Sequence, residues 1–303
     1  MYIAFCSFLN YNYNIKIVTV LERKGLLQNT VEIKAYAKVN LCLDITGIAD
    51  NGWHYLDTIV APIPLHDIVT VTKREDDLIR VTYDNGNAFP NDVAVKMAKT
   101  IKNTFGTHGV DINIKKKIPI ASGIGGSSAD AVAVAKGMKK VFSLGNIDNS
   151  ILKSVGSDVP AMYKGGINRV RGFGEIVESV SLPNSLYVSL LIDDTTPLKT
   201  EEIYKLYDKT GGEHGVVDDF LVNLKPFNSL EKAAISINPK IIKLKDLLYS
   251  AGYEFVVMTG SGSGVIGFTT DKDEYSVITK KVTKSLHNDN VNHYAFIIDK
   301  KGV

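Results

Sequence analysis

A chain of 303 residues is long enough for two domains, since single hydrophobic cores stop growing at about 250–300 residues. Apolar residues make up 45% and charged residues 22%, an ordinary globular balance that excludes a disordered chain. With 35 Lys and Arg against 33 Asp and Glu there is no basic excess for nucleic acid. No run of about 18 apolar residues offers a membrane span, and Cys6 and Cys42, without ligand spacing, fit a reducing cytoplasm.

Residues 1–30 read as an appendage: Met1 to Leu9 is apolar, with no basic segment before it and no small-residue cleavage site after it. Val31 to Ile45, rich in β-branched residues, reads as one long strand or a strand pair. The turn Asp50-Asn51-Gly52 leads to Trp53 and His54, and Ile68 to Thr72 alternates as a half-buried strand. Asn91 or Asp92 can cap a helix from Val93 to Thr104, and Asp111 to Ile118 is a further strand. A Gly/Ser segment, Pro119 to Ser128, then precedes an alanine-rich helix from Ala129 to Val141.

After Asp148 to Val155 comes Gly156-Ser157-Asp158-Val159-Pro160, followed by a glycine-punctuated strand region from Gly165 to Gly174. Leu182-Pro183-Asn184 is the best boundary and divides 31–183 from 184–303. Beyond it lie a strand at Leu186 to Ile192, helices at Glu201 to Tyr207 and Lys240 to Ala251, and strands at Phe255 to Met258 and Val265 to Phe268. These last two flank a second Gly/Ser run, Thr259 to Gly264. A helix at Asp273 to Leu286 and a strand at Ala295 to Ile298 close the chain. Strands and helices mix without regular alternation, which argues for α+β rather than a doubly wound sheet.

Glycines Gly123, Gly125 and Gly126 let the backbone turn through positive φ or approach a ligand. The helix behind them then presents unpaired N–H groups to an anion, of which a nucleotide phosphate is the usual one. The spacing matches neither G-x-x-x-x-G-K-[ST] nor G-x-G-x-x-G, and a flexible connector is the competing reading. Lys38 and Asn40 share one face of their strand, where a lysine can equally well sit at an edge. Asp158 is either a reactive carboxylate or a helix cap. Together, an anion cradle, a lysine and a lone aspartate are the parts of phosphoryl transfer, in which charge stabilisation and positioning dominate.

The blocks Ala37–Asn40, Pro119–Ala131 and Thr259–Gly264, in that order, resemble the three motifs of the GHMP small-molecule kinases. Within them, Gly52-Trp53-His54, the unbroken Gly156–Pro160 and the run Arg171 to Glu175 resemble one branch. Its acceptor is a cytidine-diphosphate-linked alcohol of non-mevalonate isoprenoid synthesis. The resemblance implies a ribosomal-S5-like N-terminal half and a ferredoxin-like C-terminal half, ATP and Mg²⁺ as cofactors, and a cytoplasmic enzyme. No residue is assigned to the metal.

It implies that Lys38 and Asp158 are the catalytic pair and that Asn40 contacts substrate. Trp53 would stack on cytosine, His54 hydrogen-bond it, and Tyr204 cover the ring's other face. Lys116 would lie near the adenine. Pro119, Ser122, Gly123, Gly125, Gly126, Ser127 and Ser128 would form the ATP loop, with Thr259 and Gly260 on the substrate side. Three departures stand out: the loop has one glycine fewer before its serines, Asn228-Ser229 replaces an asparagine-aspartate pair, and Trp53 replaces a tyrosine. The rival readings are a GHMP kinase for a non-nucleotide alcohol and an inactive binding protein of the same fold.

Overall fold

The computed structural model describes residues 29–84, 86, 92–193, 195–286 and 290–300. All but the last two residues of the expected appendage, Cys6 among them, and the alternative cap Asn91 lie outside the described residues. Val31 to Ile45 belongs to one strand, β1 (Thr30–Ile48), antiparallel to the similarly long β2 (His54–Lys73). Only the far end of β2 is evident from alternation, because Pro62 and Pro64 read as strand breakers. Pro64 falls within a register shift between Tyr36 and Lys38, where no ladder hydrogen bond is asked of it.

The other edge of β2 pairs first with β5 (Asn168–Gly172) and then with β4 (Val110–Lys115). β3 (Ile79–Tyr83) lies parallel to β4, and β6 (Ile176–Ser179) antiparallel to β5, giving a six-stranded mixed sheet. Between its β5 and β4 partners, β2 leaves a gap that the chain after β4 enters. There Asp67 accepts from the backbone N–H groups of Lys117 and Ile118 at 2.5 and 2.8 Å.

Helix α1 (Val93–Phe105) starts on Asp92, whose carboxylate accepts from the N–H groups of Ala94 and Val95. It buries Ala94, Met97, Ala98 and Ile101 against α2 (Gly126–Val141), which packs on β1 and β2. The alanines of α2 allow that approach. At Gly137 an added Cβ would sit 2.5 Å from Val71 Cγ2, closer than any side chain permits. Two short helices, α3 (Asn149–Val155) and α4 (Val159–Lys164), meet at the Gly156–Asp158 turn.

A second, antiparallel sheet has the order β10-β7-β9-β8, from β7 (Leu186–Asp193), β8 (Phe255–Met258), β9 (Val265–Thr269) and β10 (Val291–Ile298). It is accompanied by α5 (Thr200–Thr210), α6 (Val217–Asn223), α7 (Glu231–Ile237), α8 (Lys240–Ala251) and α9 (Lys272–Ser285). Helices α4, α6 and α7 are too short to show a hydrophobic period, so sequence alone passes over them. One apolar cluster runs through both sheets, joining Val31, Ile59 and Ile112 to Leu186, Phe268 and Phe296. No helix among the described residues is long and apolar enough to cross a membrane.

Candidate active site

The expected site residues, with one exception, line a single cleft of about 960 Å³, walled by residues of both sheets' halves. The floor comes from β1. Lys38, 4% exposed, is held from three sides: its Nζ donates to Asn40 Oδ1 at 2.6 Å and to the Gly123 carbonyl at 3.3 Å, and lies 3.3 Å from Asp158 Oδ2. Asn40 in turn donates from Nδ2 to Thr58 Oγ1 at 2.8 Å, and Thr58 to the Cys42 carbonyl at 2.5 Å. The amide of Asn40 is therefore spent on aiming the lysine.

Asp158 stands at the N-terminus of α4, yet its side chain makes no capping hydrogen bond there. The carboxylate instead faces Lys38 with 38% of its side chain exposed, so it is not used as a cap. The glycine run of 172–174 supports that turn. Gly174 has φ +103°, and a Cβ on it would lie 2.3 Å from the Ser157 carbonyl oxygen.

The Gly/Ser loop delivers the chain to α2. That helix begins at Gly126, three residues earlier than the alanine pattern suggests, and has no side-chain cap and no acidic residue in its first turn. The first helical hydrogen bond is Ala129 N–H to the Gly125 carbonyl, so the N–H groups of Gly126, Ser127 and Ser128 precede the intrahelical ladder. Gly123 and Gly125 have φ of +76° and +72°. Gly126 differs from the expectation: it is helical, and its missing Cβ, which would sit 3.0 Å from Ile118 Cγ2, makes room for Ile118 rather than for a left-handed turn. Ser128 Oγ lies toward the Asp158 turn, 3.8 Å from where a Cβ on Gly156 would be.

The second Gly/Ser run backs the first. A Cβ at Gly123 would come within 2.4 Å of the Thr259 carbonyl oxygen, and one at Gly260 within 2.5 Å of the Gly123 carbonyl oxygen. Gly260 and Ser261 line the cleft, whereas Thr259 is fully buried outside it. Its hydroxyl accepts from the Asn40 backbone N–H at 2.7 Å, so it braces the floor instead of meeting a ligand. Asn228 donates to the carbonyls of Met258 and Gly260 at 2.7 and 2.8 Å, fixing this run from behind. Next to it Ser229 donates to Asp44 of β1 at 2.8 Å.

Lys116 lines the cleft, but its ammonium is committed to Asp67 at 2.5 Å and Asp130 at 2.7 Å. Burial pulls the lysine pKa down, and the two carboxylates outweigh it and raise it. Burial pushes Asp130 up to about 7, against the pull of Lys116. Its Oδ1 is buried with no hydrogen-bond partner.

At the other end Trp53, 54% exposed, meets Phe173 edge-on at 6.0 Å. Lys153 Nζ lies over both rings, at 6.0 Å from Trp53 and 4.9 Å from Phe173. Tyr204 lies against His54 with ring centroids 4.8 Å apart, and burial raises its phenol pKa. Phe173, Thr58 and Asp208 are cleft residues that the motif reading did not assign. Phe173 lies inside the run Arg171 to Glu175, Thr58 follows His54 on β2, and Asp208 follows Tyr204 by one helical turn. Cys42 lies beneath, its thiol pushed up to about 12 by burial, and takes no part.

Two family models match the chain: "GHMP kinases N terminal domain" over residues 92–166 and "GHMP kinases C terminal" over 218–288. A 4-diphosphocytidyl-2-C-methyl-D-erythritol kinase of Caldicellulosiruptor saccharolyticus is 33% identical over 79% of this chain and 88% of its own. The enzyme of that name from Clostridium beijerinckii is 34% identical over 80% and 91%. This chain belongs to the 4-diphosphocytidyl-2-C-methyl-D-erythritol kinase family. Among solved structures, a 4-(cytidine 5'-diphospho)-2C-methyl-D-erythritol kinase superposes with TM-score 0.72 at 25% identity, covering 88% of this chain and 98% of that one. A homoserine kinase of Cytophaga hutchinsonii, at TM-score 0.65 and 16% identity over 91% and 96%, shares the fold alone. The protein is a small-molecule kinase with the α+β GHMP kinase fold, and kinases of this family use ATP.

Proposed function

We propose that this kinase transfers the γ-phosphoryl group of MgATP to the 2-hydroxyl of 4-diphosphocytidyl-2-C-methyl-D-erythritol, in the cytoplasm. One observation carries the reading. The Lys38–Asp158 pair stands in the same cleft as the open N-terminus of α2 and the Trp53–His54 pair. The phosphates would rest on the N–H groups of 126–128, where the helix dipole favours negative charge. Asp158 would orient the acceptor hydroxyl and take its proton. As the new O–P bond forms, the bond to the β–γ bridging oxygen breaks and ADP leaves. Lys38 would offset charge on the transferring group, its direction fixed by Asn40.

Magnesium suits the residues present. It binds through few protein oxygens plus substrate phosphates rather than an all-protein cage. No group of three or more His, Cys, Asp or Glu is gathered among the described residues. The Ser128 hydroxyl is the cradle oxygen that would hold it beside the phosphates, and bound there it would neutralise phosphate charge. We also take 31–183 as the ATP-binding domain and 184–303 as the second domain.

The test is ADP release with the cytidine-linked alcohol, mevalonate and homoserine as separate acceptors. Turnover with the first alone is expected. Turnover with mevalonate or homoserine, and none with the cytidine compound, would overturn the substrate.

A further inference from the structure

Three side chains on one face of α5 converge on His54. Tyr204, Tyr207 and Asp208 are spaced i, i+3 and i+4 and therefore adjoin on the helix surface. The Tyr204 ring lies 4.8 Å from the imidazole and the Tyr207 ring 6.0 Å, edge-on, while Asp208 Oδ1 is 2.6 Å from Nε2. The histidine opens β2, the second strand of its hairpin, in one half, and this socket belongs to the other half. The imidazole is 9% exposed and Asp208 40%.

We infer that Asp208 is a positioning residue that makes the base end select cytosine, by fixing which nitrogen of His54 carries hydrogen; this rests on the cytidine reading above. A carboxylate only accepts, so Nε2 must donate to it. A neutral imidazole has one N–H, and Nδ1 is then left as an acceptor. Nδ1 has no hydrogen-bond partner among the described residues. An acceptor nitrogen pairs with the 4-amino group of cytosine and opposes the 4-carbonyl of uracil. The two tyrosines restrain the ring from turning over, so the choice is made before the base arrives. Without the carboxylate either tautomer is open, and an N–H at Nδ1 would serve uracil equally well. A site built around one hydrogen bond rejects the analogue that cannot make it far better than an apolar pocket does.

The alternative is an ordinary ion pair holding α5 to β2, which would leave base preference and ring nitrogens unmoved. The experiment uses the full chain, labelled with ¹⁵N, as wild type, Asp208→Asn and Asp208→Glu. It reads the His54 nitrogen shifts and the calorimetric affinities for CMP and UMP. Wild type should carry hydrogen on Nε2 and prefer CMP. Asp208→Asn, whose amide can donate or accept, should show both tautomers and lose CMP-over-UMP preference by roughly tenfold. Asp208→Glu should restore part of it. Hydrogen on Nδ1 in wild type, or an unchanged ratio in Asp208→Asn, overturns the assignment while the cytidine reading stands. Equal binding of CMP and UMP by wild type removes both. Were the asparagine variant not to fold, the wild-type nitrogen shifts would still decide.

Discussion

The two ends of the cleft are built from different materials. At the proposed phosphate end the groups that would bind are backbone: the N–H groups of 126–128 and two glycine runs packed oxygen against Cα, with Gly123 on Thr259 and Gly260 on Gly123. At the base end they are side chains on the rim, a half-exposed tryptophan and a histidine reached from a helix of the other half. Backbone groups cannot be exchanged by mutation, but their geometry collapses if a Cβ enters. Side chains can be truncated one at a time with local consequences. The phosphate end should therefore fail as a unit, and the base end residue by residue.

The largest effect tests the junction of the two ends. Asp158→Asn should lower kcat by ~10²–10⁴-fold while ATP affinity is retained, because it removes the proton acceptor and leaves the cradle. Lys38→Met should lose a comparable factor, and the double variant should lose little more if the pair acts as a unit. Near-normal turnover of Asp158→Asn would take the reaction away from this pair.

Next comes the packing of one glycine run on the other. Gly260→Val puts a Cβ 2.5 Å from the Gly123 carbonyl at φ +57°, so stability should fall by about 1–3 kcal/mol, with ATP binding weakened in parallel. Thermal melting and an ATP titration check it. A variant as stable as wild type with normal ATP affinity would mean the second run is a passive connector. Gly126→Ala, whose Cβ meets Ile118 Cγ2 at 3.0 Å and no backbone atom, should be the milder companion.

At the base end, Trp53→Ala should weaken cytidine-nucleotide binding by about 1–3 kcal/mol, the usual worth of a base–aromatic stack, without changing ATP affinity. If ATP affinity fell equally, the two ends would not be separable.

The smallest effect concerns the wall at Asp130. Its raised native pKa means the folded state binds a proton that the unfolded chain has already released. Stability should thus decline as pH rises from about 4 towards 7, and Asp130→Asn should flatten that slope of Tm against pH. An unchanged slope would show that Lys116 keeps Asp130 charged throughout.

Sequence alone determined the elements that carry their own local signal. The strand alternation put Lys38 and Asn40 on one face, the glycines marked the turn into an alanine-rich helix, and Gly156–Pro160 marked Asp158. Periodicity needs length, and hydrogen bonds at a turn need only adjacent residues, so both survive in one dimension. What tertiary structure decided was every choice between two uses of the same residue. Asp158 faces Lys38 instead of capping α4, Asn40 and Thr259 brace the floor, and Lys116 is held by Asp67 and Asp130, 49 and 14 residues away. The middle of β2 formed despite Pro64 because a register shift against β1 leaves that residue without a ladder partner. Asp208 reached His54 across 154 residues because two sheets share one core. Such pairings are set by which side chains the packed halves bring within hydrogen-bond distance, and no local pattern in the chain encodes that distance.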